Sequence, residues 1–152
     1  MFNELALSTI LALTAVSLHG FGLLSLGRVL EIYEIRAGRS YVEGPLWRHA
    51  LLTIAVVLGL FVIHGVEIWM YAAVYRLIGA VPDLREAVYF SSISYGSIGY
   101  SDELMAPKWR LLGAMEGVAG AILLGWSIAF FVSVMTPLTF RRKHGTVHRD
   151  NS

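Results

Sequence analysis

VPDLREAVYFSSISYGSIGYSD, residues 81–102, is the stretch of the chain on which its fold depends. Asp83 is followed three positions later by Glu86, a pattern typical of a capped helix start. The helix that this pattern predicts runs from Leu84 to about Ser94 and is only about 16 Å long. A bilayer core is about 30 Å thick, so this helix cannot cross it. Between two membrane spans, such a segment is a candidate re-entrant helix, surrounded by protein or water.

The residues after the short helix are predicted to form an extended loop. Residues 96–102, GSIGYSD, are not helical by propensity. We expect this loop to return to the membrane surface from which the short helix entered.

Three apolar stretches surround this segment. Residues 5–27, 50–75 and 111–140 are each long enough to cross a bilayer, for which about 20 residues suffice. The 152-residue chain is 56% hydrophobic and 15% charged, whereas soluble domains are about 45–50% apolar and about 25% charged. This composition excludes a disordered chain, a nucleic-acid binder and an ordinary soluble domain. The sequence has no cysteine, which excludes disulfides, thiolate zinc sites and thiol nucleophiles.

The distribution of lysine and arginine predicts the orientation in the membrane. Eight of them lie in the loop after the first span and in the C-terminal tail, and four lie on the side of the short helix. We therefore expect the loop and the tail to be cytoplasmic and the N-terminus and short helix to lie outside. No basic residue precedes Arg28, so the first stretch is predicted to be a mature transmembrane helix rather than a signal peptide.

The order of helix, short re-entrant helix, loop and helix resembles the pore module of the tetrameric potassium channel superfamily, whose filter has the sequence Thr-Val-Gly-Tyr-Gly-Asp. The resemblance covers about residues 45–140. Parts of this stretch are also similar to small bacterial ion-channel proteins that have one extra N-terminal helix. The resemblance implies an all-α membrane protein, with three transmembrane helices, a re-entrant pore helix and an extended selectivity-filter loop per chain. It also implies a homotetrameric pore in a bacterial inner membrane.

The resemblance divides the chain into three parts. Residues 1–44 form the extra helix and a cytoplasmic loop, residues 45–140 form the pore domain, and residues 141–152 form a basic cytoplasmic tail that contacts membrane lipids. The pore domain comprises an outer helix, the pore helix (83–95), the filter (97–102) and the inner helix (107–140).

The filter loop is expected to conduct potassium ions. A dehydrated potassium ion needs a cage of oxygens, which rings of backbone carbonyls from several loops supply. One chain supplies one loop, so four chains are required. The residues predicted to line the ion path are Ser97, Ile98, Gly99, Tyr100 and Ser101. Asp102, directly after them, is expected to concentrate cations at the mouth of the pore.

Ser101 departs from the family pattern, because it stands where the second filter glycine is expected. A residue with a Cβ loses about 1–2 kcal/mol in a left-handed conformation, so one alternative is a channel that conducts sodium and potassium with weak selectivity. A further alternative is a non-conducting membrane subunit that regulates a partner. An enzyme is not predicted, because no nucleophile with its base, phosphate loop or cluster of metal ligands can be placed. No organic cofactor is expected.

Ionisable residues within the apolar spans are functional candidates by default. Glu67 and Glu116 are expected to accept hydrogen bonds from the pore helix or filter, with candidate donors at Ser91, Ser92, Ser94 and Tyr95. They act either as a proton-sensitive brace or as a static support, and the static role is favoured. His64 shares a helix face with Glu67. This pair can bind zinc, but the span lacks further ligands, so a hydrogen-bonded contact is favoured. His19 is predicted to hydrogen-bond between helices.

The last span is predicted to be the inner, pore-lining helix. Gly120 lies where related inner helices bend, although close helix packing is the commoner reason for membrane glycines. Phe130 and Phe131 are candidates for a hydrophobic constriction that gates the pore by dewetting.

Overall fold

The computed structural model describes residues 2–38, 45–99 and 102–147, with the backbone alone for residue 102 and for residues 137–147. Within these ranges the chain forms four α-helices and no strand, and two short 3₁₀ turns precede the last helix. The helices are α1 (Phe2–Ala37), α2 (Leu46–Leu77), α3 (Leu84–Tyr95) and α4 (Arg110–Val147). Three of them, all but α3, include segments long and apolar enough to cross a membrane. The predicted all-α membrane fold is therefore confirmed.

Helices α1 and α4 are longer than the predicted spans. Helix α1 continues beyond residue 27 to Ala37, because residues 28–37 contain neither glycine nor proline. It stops at Gly38, which adopts a positive φ of 53° and donates its N–H to the Glu34 carbonyl. Helix α4 continues to Val147, into the segment predicted to be a tail. Residues that were expected to be loop or tail thus extend two of the spans as helix.

The short helix begins as the sequence predicts. The Asp83 carboxylate accepts hydrogen bonds from the backbone N–H groups of Arg85 and Glu86, at 2.9 and 3.3 Å. The 12 residues of α3 cover about 18 Å, which is too short to span a bilayer. One face of α3 packs into the protein core, where Phe90 and Tyr95 are fully buried against residues of α2 and α4.

The segment that contains α3 enters and leaves on the same side of the bundle. The backbone N–H of Ala106 donates to the carbonyl of Ala80 at 2.9 Å, which joins the chain after the loop to the chain before α3. Val81 and Met105, beside these two residues, are buried in the same core. A segment that enters and leaves at the same end of the bundle is re-entrant, as the sequence predicts.

Helix α4 crosses the end of α3 at glycines. A Cβ added at Gly120 would overlap the backbone carbonyl of Tyr95, and one added at Gly117 would lie 3.2 Å from the Ser94 oxygen. The close contact of the two backbones therefore requires glycine at position 120. Of the two roles considered for this residue, packing is the one that the described contacts support.

We expect Gly120→Ala to destabilise the protein by about 1–3 kcal/mol, because a backbone carbonyl cannot move aside as a flexible side chain can. Gly125→Ala is the matched control on the same helix, since a Cβ at Gly125 meets nothing within 4 Å. Thermal unfolding in detergent should give a lower Tm for Gly120→Ala and an equal or higher Tm for Gly125→Ala. Equal unfolding temperatures for the two variants would contradict the close packing.

Candidate functional site

The first residues of the predicted filter form a cap on α3 rather than an extended strand. The N–H of Ile98 donates to the Ile93 carbonyl, and the N–H of Ser97 donates to the Ser94 carbonyl, both at 3.0 Å. Ser97 has a φ of 53°, in the left-handed region. This is the hydrogen-bond pattern of a Schellman motif, which satisfies carbonyls at a helix C-terminus. The expectation of an extended backbone is therefore wrong for residues 97 and 98.

Other parts of the predicted filter are outside the described residues. This applies to Tyr100 and Ser101 entirely and to the side chain of Asp102, whose backbone begins a 3₁₀ turn. Among the described residues of the loop, Ser97 is left-handed.

The end of α3 lies over an open trough in the surface of the chain. Small residues of α4 leave a cavity of about 430 Å³ beside the loop. Its lining includes Ser94, Ser97, Gly99, Gly113 and Gly117. Ile98 is 79% exposed, so the loop points away from the core of its own chain.

Glu116 binds α3 to α4 and α2. Its carboxylate is fully buried and accepts hydrogen bonds from the hydroxyls of Ser91 and Tyr75, each at 2.5 Å. Ser94 adds a second link between α3 and α4, since its hydroxyl donates to the Gly113 carbonyl at 2.7 Å. Ser91 was a predicted donor, whereas Tyr75 was not, because nothing in the sequence pairs residues 75 and 116. These contacts join Glu116 to the helix that precedes the loop.

Glu67 lies in a second polar cluster, which contacts α3 one turn further along the helix, at Tyr95. Its Oε1 lies 3.0 Å from His19 Nδ1, and its Oε2 accepts a hydrogen bond from the Tyr95 hydroxyl. His64 contacts the same hydroxyl through Nδ1 at 2.9 Å. The predicted pairing of Glu67 with Tyr95 is thus present, and His19 makes the interhelical contact expected of it.

Ser127 closes this cluster into a ring. Its hydroxyl oxygen lies 3.0 Å from His64 Nε2 and 3.3 Å from His19 Nε2. The ring of side chains joins all four helices: His19, His64, Glu67, Tyr95 and Ser127. Ser127 was not predicted as a site residue, although a hydroxyl within an apolar span was an available signal.

The two phenylalanines predicted to form a gate pack against helices of their own chain. A Cβ at Gly27 of α1 would lie 3.8 Å from the Phe130 ring. Phe131 lines a cavity of about 200 Å³ together with Val57 and Leu60 of α2. A constriction at these residues stays a prediction.

The family model described as ion channel matches residues 51–137, which is more than half of the chain. The chain belongs to the ion channel family. The matched region of this ion channel protein contains most of α2, all of α3, the loop and most of α4, and the match confirms the resemblance to the pore module of the potassium channel superfamily. Helix α1 lies outside it. No significant match was found among curated proteins or solved structures.

We expect Tyr75→Phe to destabilise this ion channel protein by about 1–3 kcal/mol, because the buried Glu116 carboxylate loses a hydrogen-bond donor. Tyr71→Phe is the matched control, since the Tyr71 hydroxyl is buried with no hydrogen-bond partner among the described residues. Unfolding in detergent should show a lower Tm for Tyr75→Phe only. Equal losses in the two variants would mean that the Tyr75–Glu116 hydrogen bond does not stabilise the fold.

Proposed function

We propose that four copies of the chain form a channel that conducts potassium ions passively through backbone carbonyls of the loop at residues 97–102. The observation that carries the proposal is the re-entrant helix α3, which ends in an exposed loop beside the small residues of α4. Membership of the ion channel family supports the same function.

The hydrogen bonds of the loop leave its carbonyl oxygens available to bind an ion. The N–H groups of Ser97, Ile98 and Gly99 donate back to carbonyls of α3, the last at 3.5 Å. Among the described residues, no hydrogen bond to the carbonyls of residues 97–99 is formed. Carbonyl oxygens without an internal donor are what a potassium ion requires in place of its water shell.

The trough beside the loop supports assembly from several copies. Gly113, Gly117 and their neighbours allow another helix to approach closely, as small residues do in membrane helix packing. The trough also contains the polar side chain of Ser97, which lipid chains cannot hydrogen-bond. Further copies of the same chain, bringing their own loops to one axis, satisfy both requirements.

The support of the loop is consistent with a filter that has to hold its shape. The buried carboxylates of Glu67 and Glu116 hold Tyr95 and Ser91, and both of these lie on α3. Since α3 ends one residue before Gly96, these contacts restrain the helix from which the loop starts. We propose a static structural role for both carboxylates.

Weak selectivity between sodium and potassium is the second candidate function. Position 101 has serine instead of glycine, and a left-handed residue with a Cβ costs about 1–2 kcal/mol. The loop already contains one left-handed residue that has a Cβ, namely Ser97. A filter with further strain would hold its outermost carbonyls less firmly.

Ion flux into liposomes that contain only the purified protein tests both candidates. We expect potassium flux to exceed sodium flux at least ten-fold. Equal fluxes would retain the pore and establish the weakly selective channel. Absence of flux at every pH tested, together with a monomer on sizing, would overturn the channel and favour a regulatory subunit.

We expect Gly99→Ala to reduce flux at least ten-fold without unfolding the protein. A Cβ at Gly99 meets nothing within 4 Å among the described residues, so we expect its effect to arise where loops of different copies meet. Gly65→Ala is the matched control, because a Cβ there also meets nothing within 4 Å. Unchanged flux in Gly99→Ala would place the ion path away from this loop.

We also propose that α3 enters from the outer side of a bacterial inner membrane, with the N-terminus outside and the C-terminus in the cytoplasm. The chain has no cysteine, so single cysteines can be labelled selectively. Glu103 and Glu34 are both exposed, at opposite ends of the bundle. An impermeant maleimide should label Glu103→Cys in intact cells and Glu34→Cys only after permeabilisation. The reverse pattern would invert the orientation.

A further inference from the structure

Three side chains that can bind a metal ion lie close together within the bundle. In the sequence they are far from the loop. The ligand atoms of His19, His64 and Glu67 lie within 4.8 Å of one another. The Nδ1 atom of His19 lies 3.0 Å from Oε1 of the carboxylate, and the Nδ1 atom of His64 lies 3.4 Å from Oε2. Two imidazole nitrogens thus face one carboxylate. Zinc was not favoured from the sequence because the span of His64 and Glu67 lacks a third ligand, and His19 of α1 supplies that ligand.

The spacing suits a small tetrahedral ion. Zinc bound at about 2.0–2.1 Å to nitrogen and oxygen places its ligand atoms about 3.3 Å apart. The separations of 3.0 Å from His19 Nδ1 to Oε1 and of 3.4 Å from His64 Nδ1 to Oε2 are close to this value, and all three ligand atoms lie within 4.8 Å of one another. Two histidines with one glutamate are also a known zinc-binding set in proteins.

In each imidazole, the ring nitrogen that faces away from Glu67 already contacts an acceptor, as it does in metal-bound histidines. A metal-bound histidine normally donates its other ring N–H to a polar acceptor, which holds the ring in place. Here the Nε2 atoms of His19 and His64 lie 3.3 and 3.0 Å from one acceptor, the Ser127 hydroxyl oxygen. A hydroxyl oxygen has two lone pairs and can accept both N–H groups. Both Nδ1 lone pairs are then directed toward Glu67.

The charges of the ring also favour a bound cation. Glu67 is fully buried, and among the described residues its ion-pair contacts are with two histidines. Five hydrogen-bond contacts join the side chains of the ring. When both histidines are neutral, these side chains carry four polar hydrogens, so at one of the five contacts two acceptors face each other with no hydrogen between them. A cation between the Nδ1 atoms and the carboxylate removes this conflict and compensates the buried charge.

We propose that His19, His64 and Glu67 bind one zinc ion per chain. The Tyr95 hydroxyl, 2.9 Å from His64 Nδ1, is placed to fill or to hydrogen-bond the fourth position. Because His19 belongs to α1 and the other two ligands to α2, the ion cross-links the extra N-terminal helix to the pore module. Ser127 and Tyr95 extend the link to α4 and α3. The site does not depend on ion conduction.

Zinc binding by the purified protein in detergent tests the proposal. After removal of metals with a chelator, the protein is titrated with zinc chloride while bound zinc and Tm are measured. We expect saturation at one tightly bound zinc per chain and a rise in Tm. His19→Gln should weaken binding at least ten-fold and abolish the rise in Tm. His49→Gln, which changes a histidine outside the cluster, should leave both unchanged.

A second variant keeps the test decisive if His19→Gln does not fold. Ser127→Ala retains all three ligands and removes only the shared acceptor, so it should weaken zinc binding about 10–100-fold. Equal zinc affinity in wild type, His19→Gln and Ser127→Ala would show that the ion binds elsewhere. No saturable zinc binding to the wild type would show that a proton supplies the positive charge of the ring. Either result would overturn the metal site.

Discussion

A helix that enters a membrane without crossing it must have its polar groups satisfied by protein, and this constraint organises the whole chain. Lipid offers no hydrogen bonds to the end of α3 or to the loop that follows it. The chain meets this requirement with a capped start at Asp83, a Schellman turn at Ser97 and buried side-chain contacts along the length of the helix. Helices α2 and α4 provide the side-chain and backbone partners of α3.

The buried carboxylates lie on two different neighbours of the short helix. Glu67 belongs to α2 and holds Tyr95, while Glu116 belongs to α4 and holds Ser91. Burial makes an unpaired carboxylate costly, so each one selects the arrangement in which its donors are present. Gly120 permits the same arrangement by letting α4 touch the Tyr95 carbonyl. Hydrogen bonding and close packing therefore specify one position for α3.

Helix α1 lies outside the matched family region, yet it contacts the side chains that hold α3 in place. His19 places an imidazole in the same ring as Glu67 and Tyr95, and Trp126 of α4 packs its ring 5.3 Å from that imidazole. The first helix is thus joined to the pore module through a polar contact in its interior as well as through apolar packing. A change in the contact between His19 and Glu67 would therefore also alter the contacts of α3, the helix from which the loop starts.

Local sequence determined the elements, and tertiary structure decided their contacts. The cap at Asp83, the length of α3 and the three spans follow from short-range rules of capping, propensity and hydropathy, so they could be predicted. The turn at Ser97 could not, because the need to satisfy the last carbonyls of α3 outweighs the strain of a left-handed serine. The ring of His19, Glu67 and Ser127 joins residues up to 108 positions apart. Such contacts depend on how helices pack against one another, and hydropathy does not encode that packing.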